Sequence, residues 1–558
     1  MLSRSEKLIG SLSFREAIYL LAALIGIVLS LFIYFYYASE LALAISGILL
    51  SLSIVLGIIY PLWLKNRTST SVDVDLTFLL HHMYSVSTGN PPREAIFEVV
   101  GREDIYPKYS PLFRKIFKLG REWGYSFPQA CALLAKDLKN KVLKEILSRL
   151  STVLSIGEDI ELFLRTELST LNSEFETQYM RTVEAARVFL GIYTSLLASS
   201  VFMLANFLLL AFFFGGDVKM VVLSYFFVLA TVASIAFLLY FTMPQEIYET
   251  KIKPKPFVYK LIDISSVAII VAGSAIGIYI IFSGKLTFFI LGILIMAVGA
   301  ALIFPGWLSK GIEGLIREID DFFPIFIRSY ALNYETLPNQ AKALRPMLIV
   351  ELGKLSRILE NLYARLLNGI DPSIAWRMVA NESRSELVRR FLRIFIDAIE
   401  KGGKISVVGA SLSDHHNLIV RLRRNRLQVA KTFETTTYIM QGAIVIINVF
   451  VVSLLNSFSH LLTSMQAQIP ANIVGPLFGS QIPLAPIIYM SAIFSIVTAV
   501  MNAFSITRVT PGVSRTFWYY LGILLLISGI GIILGSAMME YILGSTVQAL
   551  SNLTTSTL

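Results

Sequence analysis

The sequence predicts an all-α polytopic membrane protein, with nine transmembrane helices carrying two homologous cytoplasmic helical-bundle domains. Three observations predict it. Nine uncharged apolar runs are each long enough to cross a bilayer, nearly all Lys and Arg residues fall on one side of them, and two long charged blocks share one glycine–proline pattern. Composition points the same way. The 558 residues are 55% hydrophobic and only 15% charged, whereas a soluble chain is about a quarter charged. That balance excludes an ordinary soluble enzyme, and the wealth of large apolar residues excludes a disordered or collagen-like chain. A single cysteine, Cys131, excludes a disulfide framework and any multi-cysteine metal centre.

A bilayer core about 30 Å thick takes roughly 20 apolar helical residues per crossing. The runs of that length are 17–37, 41–64, 188–214, 218–241, 264–282, 286–308, 438–459, 483–505 and 517–539. Tyr34, Tyr36, Tyr37, Trp63, Trp307, Trp518 and Tyr519 sit near their ends, where amphipathic rings meet the headgroups. With the N-terminus inside, nine crossings place 46 of the 48 Lys and Arg residues in the cytoplasm, and only Lys219 and Lys285 outside. Basic residues inside are the rule for such loops, so the C-terminal tail is expected to be extracellular. The first run is too long for a signal peptide's apolar region, lacks a small-x-small cleavage pattern and leads straight into a second span.

The expected organisation follows: a transmembrane hairpin over 1–64, a cytoplasmic domain over 65–187, and four spans over 188–308 with a short cytoplasmic loop at 242–263. A second cytoplasmic domain covers 309–437, three spans cover 438–543, and a tail covers 544–558. In the first block Gly124 is followed by Pro128, Ala130 and then Gly157. In the second, Gly369 is followed by Pro372, Ala375 and then Gly402. The glycine-to-alanine spacing is 6 and the glycine-to-glycine spacing 33 in both. Each pattern reads as a helix stop, a proline opening the next helix, two helices and a second break. After the second break each block runs towards the membrane as an amphipathic helix. Ile160, Leu164, Leu168, Leu171 and Phe175 mark the first stripe; Leu418, Leu422, Val429 and Phe433, interrupted by Asn425, mark the second. The two helices are oppositely charged, net −4 over 158–187 and +4 over 403–437. Solvated faces would carry such charges, and so would surfaces that face one another.

Little here suggests chemistry. The chain has no phosphate-binding loop, no Gly-x-Ser-x-Gly and no His-Glu-x-x-His, so no catalytic residue, metal site or cofactor is expected. The pairs His81–His82 and His415–His416, with His460, read as polar surface. The span cores hold only Asn206, Asn448 and Asn502 as strongly polar residues, which suit interhelical hydrogen bonds better than an ion path. A polytopic transporter with regulatory cytoplasmic domains is the competing class, and it requires a polar path through the spans. The sequon at Asn552 lies on the outer tail; two others fall on the cytoplasmic side, so such triplets occur by chance. Two basic clusters are candidate docking surfaces for an acidic cytoplasmic partner: Arg421, Arg423, Arg424 and Arg426, and, interleaved with Phe113, Phe117 and Trp123, the group Arg114, Lys115, Lys118 and Arg121. A solvated helix face is the alternative for both. Scattered charges on membrane-tied blocks fit nucleic acid poorly.

Duplicate helical blocks with this Gly/Pro/Ala/Gly pattern, each running into a membrane helix, resemble the type II secretion system F-domain family. The added spans look like its archaeal branch, the membrane platforms of the archaellum and of archaeal type IV pili. The stretch 157–167 (GEDIELFLRTE) with 174–179 (EFETQY) is similar to that branch's acidic helix before its span. The second block departs from it, carrying Arg424 where the same offset from glycine gives Tyr179 in the first. The resemblance implies a non-enzymatic platform in the plasma membrane and a docked hexameric cytoplasmic ATPase. It also implies pilin-like subunits passing into a filament, a homodimer and contact with membrane lipid.

Overall fold

The structure is a computed structural model and describes residues 74–102, 106–138, 140–213, 256–283, 287–466 and 484–556, with scattered positions between 224 and 250. The expected spans at 17–37 and 41–64, Lys219, Lys285 and the side chains of His460 and Asn552 lie outside the described residues, as does most of 218–241. The described residues are helical, with one isolated antiparallel bridge between Glu249 and Ser385. Among the described residues six helices are long and apolar enough to cross a membrane. The chain divides into two compact units. The first comprises residues up to 84 with 92–171, and the second comprises 85–91 with 172–558.

In the first unit α1 (Val74–Ser87, its last turn belonging to the second unit) is followed by α2 (Arg93–Arg102), α3 (Ser110–Arg121), α4 (Phe127–Lys136) and α5 (Lys141–Ile156). The long α6 (Ile160–Phe213) then begins. Phe97 stacks on Phe113 and Phe127, with centroids 6.4 and 5.2 Å away, at the centre of this bundle. Arg93 Nη1 donates to the carbonyl of Leu154 at 3.1 Å, satisfying one of the orphaned carbonyls at the end of α5. Arg149 holds Glu167 by two 2.7 Å hydrogen bonds.

The second unit contains the rest of α6, then α7 (Phe257–Phe282), α8 (Phe288–Thr336), α9 (Gln340–Leu344), α10 (Lys354–Leu367), α11 (Pro372–Ser383) and α12 (Glu386–Glu400). It closes with α13 (Ile405–Gln466), α14 (Leu484–Val509) and α15 (Phe517–Ser556).

The repeat read from the sequence appears as a repeated order of helices. Gly124 ends the α3 region and Gly369 the α10 region; Pro128 lies in the first turn of α4 and Pro372 in that of α11; Gly157 precedes α6 and Gly402 precedes α13. All four glycines have φ between +71° and +82°, the left-handed region that a side chain disfavours. The next helix is capped each time by a short polar residue. Ser126 forms a capping box with Gln129, and Asp371 accepts from the N–H groups of Ser373 and Ile374.

Both amphipathic stripes pack as expected. Leu164, Leu168, Leu171 and Phe175 are buried, and the series continues through Tyr179, Val183, Ala186 and Leu190 into the apolar part of α6. Leu418, Leu422, Val429 and Phe433 are buried on α13.

In the membrane part α8 and α15 run antiparallel with their backbones in close approach. A Cβ on Gly299 would lie 2.6 Å from the Leu526 nitrogen, and one on Gly522 2.9 Å from the Gly299 oxygen. Gly292, Gly299 and Gly306 recur every seventh residue, as Gly522 and Gly529 do on α15, so the seam stays on one face of each helix. Asn448 and Asn502 make interhelical hydrogen bonds. Asn502 Nδ2 donates to Gln441 Oε1 at 2.7 Å and its oxygen accepts from Tyr193, while Asn448 donates to Ser491 at 2.7 Å and accepts from Tyr225 at 2.7 Å. Asn206 differs: it is exposed and donates to the Phe202 carbonyl of its own helix.

The histidine pairs correct the sequence reading. His81, His82, His415 and His416 are buried, not surface residues. Each pair lies on a helix packed on most of its circumference, so neighbours pointing about 100° apart both find cover.

Candidate functional site

Two prolines sit inside α8, at positions 305 and 324. Lacking an N–H, Pro324 leaves the carbonyl of Asp320, four residues back, without its helical donor. His416 of α13 approaches that carbonyl through Nε2 at 2.9 Å, and since a carbonyl only accepts, Nε2 carries the proton. Ser413 Oγ donates to the Pro324 carbonyl at 2.9 Å. Burial, reinforced by Arg423, holds His416 well below the ordinary histidine range, so its ring is neutral between Phe323 and Phe391, each 5.0 Å away.

The Asp320 carboxylate lies at the same point and accepts from Arg423 Nη1 at 3.1 Å and from Ser385 Oγ. Ser385 also caps α12, accepting from Val388 N, so one hydroxyl ties α12 to α8. Burial pushes Asp320 up to about 6, only partly offset by Arg423. Arg423 reaches the other way to Glu246 Oε2 at 2.6 Å, with its guanidinium 4.8 Å over the Tyr248 ring. Glu246 further accepts from Tyr179 of α6 at 2.6 Å. Burial pushes Glu246 up, but Arg423 and Arg426 together outweigh it and hold the carboxyl below its ordinary value. Arg426 donates to the carbonyls of Val509 at 2.8 Å and Arg508 at 2.7 Å, a cation at the C-terminal end of α14.

The segment carrying Glu246 and Tyr248 is fastened by its backbone. Thr250 N–H donates to the Arg384 carbonyl at 2.9 Å, and Glu386 N–H to the Tyr248 carbonyl at 3.3 Å. Beside it, Arg515 joins Asp263 at 2.9 Å and Glu249 at 3.4 Å over the Tyr259 ring. Tyr248, Tyr259, Ile262, Ile312, Ile316 and Val513 form an apolar seat beneath these charges. Six segments, α6, 246–250, α8, α12, α13 and the end of α14, therefore meet at Arg423 and its neighbours. The adjoining cleft, between Tyr248, Asp321, Arg424 and Pro511, has a volume of about 40 Å³. That is room for a few waters. The site is a joint between elements, not a chamber for a metabolite.

The basic residues singled out from sequence divide by location. Arg423 and Arg426 are interior members of this joint, with no surface left for a partner. Arg421 and Arg424 are exposed and pair with Glu176 at 3.0 Å and Asp321 at 2.7 Å. The Arg421–Glu176 pair is one place where the oppositely charged helices meet. On α3, Arg114, Lys115, Lys118 and Arg121 are exposed; Arg114 donates to the Gly101 carbonyl at 3.0 Å and Arg121 lies 5.7 Å from the Phe117 ring. Trp123 and Tyr125 are exposed beside them, while Phe113 is core. Sequence reasoning missed Glu246, Asp320 and Ser385. The one available signal was the pair of acids at 320–321 directly before Phe-Phe-Pro324.

The family model described as type II secretion system (T2SS), protein F matches the chain twice, over residues 79–206 and 326–455. The two matches run from α1 into α6 and from the end of α8 into α13, the same stretches over which the helix order repeats. The flagella accessory protein J of Methanocaldococcus jannaschii is 23% identical over 415 residues, covering 72% of this chain and 74% of that protein. That of Methanococcus voltae is 22% identical over 337 residues, covering 59% of this chain and 60% of that protein. No solved structure matches. The two copies of the family model, with these relatives alongside, mark residues 79–206 and 326–455 as two domains of the type II secretion system protein F family.

Proposed function

We propose that this chain is the non-enzymatic membrane platform of an archaeal type IV pilus-like filament machine, an archaellum or an adhesive pilus. A cytoplasmic hexameric ATPase docks on it, and it couples the ATPase's motion to assembly or rotation of a filament of pilin-like subunits. In this reading residues 65–187 and 309–437 are the cytoplasmic domains, the N-terminus is inside and the C-terminus outside. The observation that carries it is continuity: each family copy runs without a break into a helix long and apolar enough to span, α6 with 54 residues and α13 with 62. A push on either bundle is thus delivered to a membrane helix through one unbroken backbone.

Lys115, Lys118 and Arg121, flanked by Trp123 and Tyr125, are the docking candidates that remain exposed on a predominantly basic face, with Glu122 at the helix end as its acid, as charge complementarity with an acidic partner requires. Arg421 and Arg424 form a second, weaker candidate because each already has a carboxylate. The test is a pull-down of the cognate ATPase by the full-length chain in detergent. Lys115→Glu/Lys118→Glu/Arg121→Glu is expected to lower binding at least tenfold while membrane accumulation is unchanged, and Arg421→Glu/Arg424→Glu to lower it less. Undiminished binding by the triple variant removes α3 from the docking assignment; no binding by the unaltered chain removes the ATPase from the proposal.

A further inference from the structure

Arg384 stands in a backbone conformation that its side chain disfavours. At the turn between α11 and α12 its φ is +57°, in the left-handed region where a long side chain is an outlier. Glycine fills such a helix end readily, as Gly157 does after α5. The contact of the Arg384 carbonyl with Thr250 N–H could come from any residue. What calls for arginine here is therefore the guanidinium.

That guanidinium lies 5.6 Å from the centre of the Tyr259 ring, in the first turn of α7, and Arg515 lies over the same ring at 4.8 Å. Arg515 is taken up by Asp263 and Glu249. Arg384 differs: among the described residues no carboxylate forms an ion pair with it, nor with Lys260, the exposed residue that follows Tyr259. Three cations thus stand against two acids around one ring, and the two cations without an acid are Arg384 and Lys260.

The place is the rim of a membrane helix. α7 is long and apolar enough to span, and its packing partner among the described helices is α8, where a Cβ on Gly273 would lie 2.6 Å from Val298. Its other side is open. Ile264, Val267 and Val271 are 68%, 56% and 60% exposed, and they follow Lys260 at steps of four, three and four residues, on one helix face. Trp518 packs on the apolar seat that holds Tyr259, an amphipathic ring at the depth where headgroups lie.

We propose that Arg384 and Lys260 bind the phosphate of an anionic glycerophospholipid whose chains lie along Ile264, Val267 and Val271. The lipid supplies the negative charge that both cations lack, whereas a zwitterionic lipid brings a cation of its own. The planar guanidinium suits phosphate, and the left-handed turn holds it at the rim where a phosphate lies. The proposal takes α7 as a membrane span, as the platform reading does, but no ATPase enters it. A failed pull-down leaves it untouched, and failed lipid binding leaves the pull-down untouched.

Native mass spectrometry of the full-length chain in detergent, with phosphatidylglycerol or phosphatidylcholine added, tests it. A basic residue at a membrane surface favours anionic lipid by about fivefold, so the unaltered chain is expected to prefer phosphatidylglycerol by roughly 25-fold. Arg384→Asn places a residue at ease in the left-handed turn and removes the cation, so the unfolding midpoint without lipid is expected to hold. Combined with Lys260→Gln it is expected to abolish the preference and leave phosphatidylcholine binding as it was. Lys260→Gln alone, on an exposed helix face, is expected to cost about fivefold of the preference. Arg328→Gln, at an exposed arginine paired with Asp414, is expected to leave it intact. Equal affinity of the unaltered chain for the two lipids, an undiminished preference in the Lys260→Gln or double variant, or displacement of phosphatidylglycerol by inorganic phosphate at the same concentration overturns the proposal.

Discussion

At the residue scale, Arg423 decides whether the joint is whole, because two carboxylates with little access to water depend on it. Removing one partner of a buried ion pair leaves an uncompensated charge, at a cost of about 3–5 kcal/mol. Arg423→Met is therefore expected to lower the detergent-solubilised chain's stability by that order, and Arg423→Met/Glu246→Gln/Asp320→Asn to recover most of the loss, read as thermal unfolding midpoints. Acid should act through the same residues with a definite sign. His415, lowered to about 3 by burial, and His416 stay neutral in the fold, whereas both take a proton below about pH 6.5 when unfolded. Their contribution is thus present at neutral pH and lost as pH falls. Asp320 opposes this: with its value raised to about 6, the folded state holds a proton that the unfolded chain releases near 4. Near pH 5 the unfolded chain binds two protons against one for the fold, so stability should fall by about 1.4 kcal/mol per pH unit. Asp320→Asn removes the opposing proton and should roughly double that slope, measured by unfolding at several pH values.

At the element scale, the α8–α15 seam admits no side chain at Gly299. Gly299→Leu forces the helices apart at an overpacking cost of about 1–3 kcal/mol. It is expected to lower the unfolding midpoint clearly, whereas Gly311→Leu, at an open helix position, should change it little. Elements of this kind differ in how far sequence discloses them. The stripes of α6 and α13 were legible because burial on one helix face leaves a period near 3.6, and the four repeat glycines because only the left-handed turn selects them. The 49-residue continuity of α8 was not legible. Pro305 and Pro324 read as stops in a chain in water, but packed neighbours such as His416 can satisfy a carbonyl that a proline releases. The joint was illegible for a different reason. Arg423 meets Asp320 across 103 positions and Glu246 across 177, distances over which neither periodicity nor spacing carries a signal. Local sequence showed four clustered arginines, and only the packing separates the two that turn inward from the two that do not.

At the scale of the whole molecule, the partition of charge was the most legible property. Forty-six of 48 basic residues fall on one predicted side, since a charge in hydrocarbon is costly wherever the chain folds. The docking surface belongs to this scale too. The long helices carry one more consequence. At 1.5 Å per residue α13 is a rod about 93 Å long. Arg423 grips it some 27 Å from its start and some 65 Å from its end, a lever with arms near 1:2.4. A tilt of about 5° at that fulcrum would sweep the far end by about 6 Å, close to one helical pitch. Gln441 and Asn448 fasten that far arm to Ser528 of α15 and Ser491 of α14, so such a tilt has to carry those helices with it.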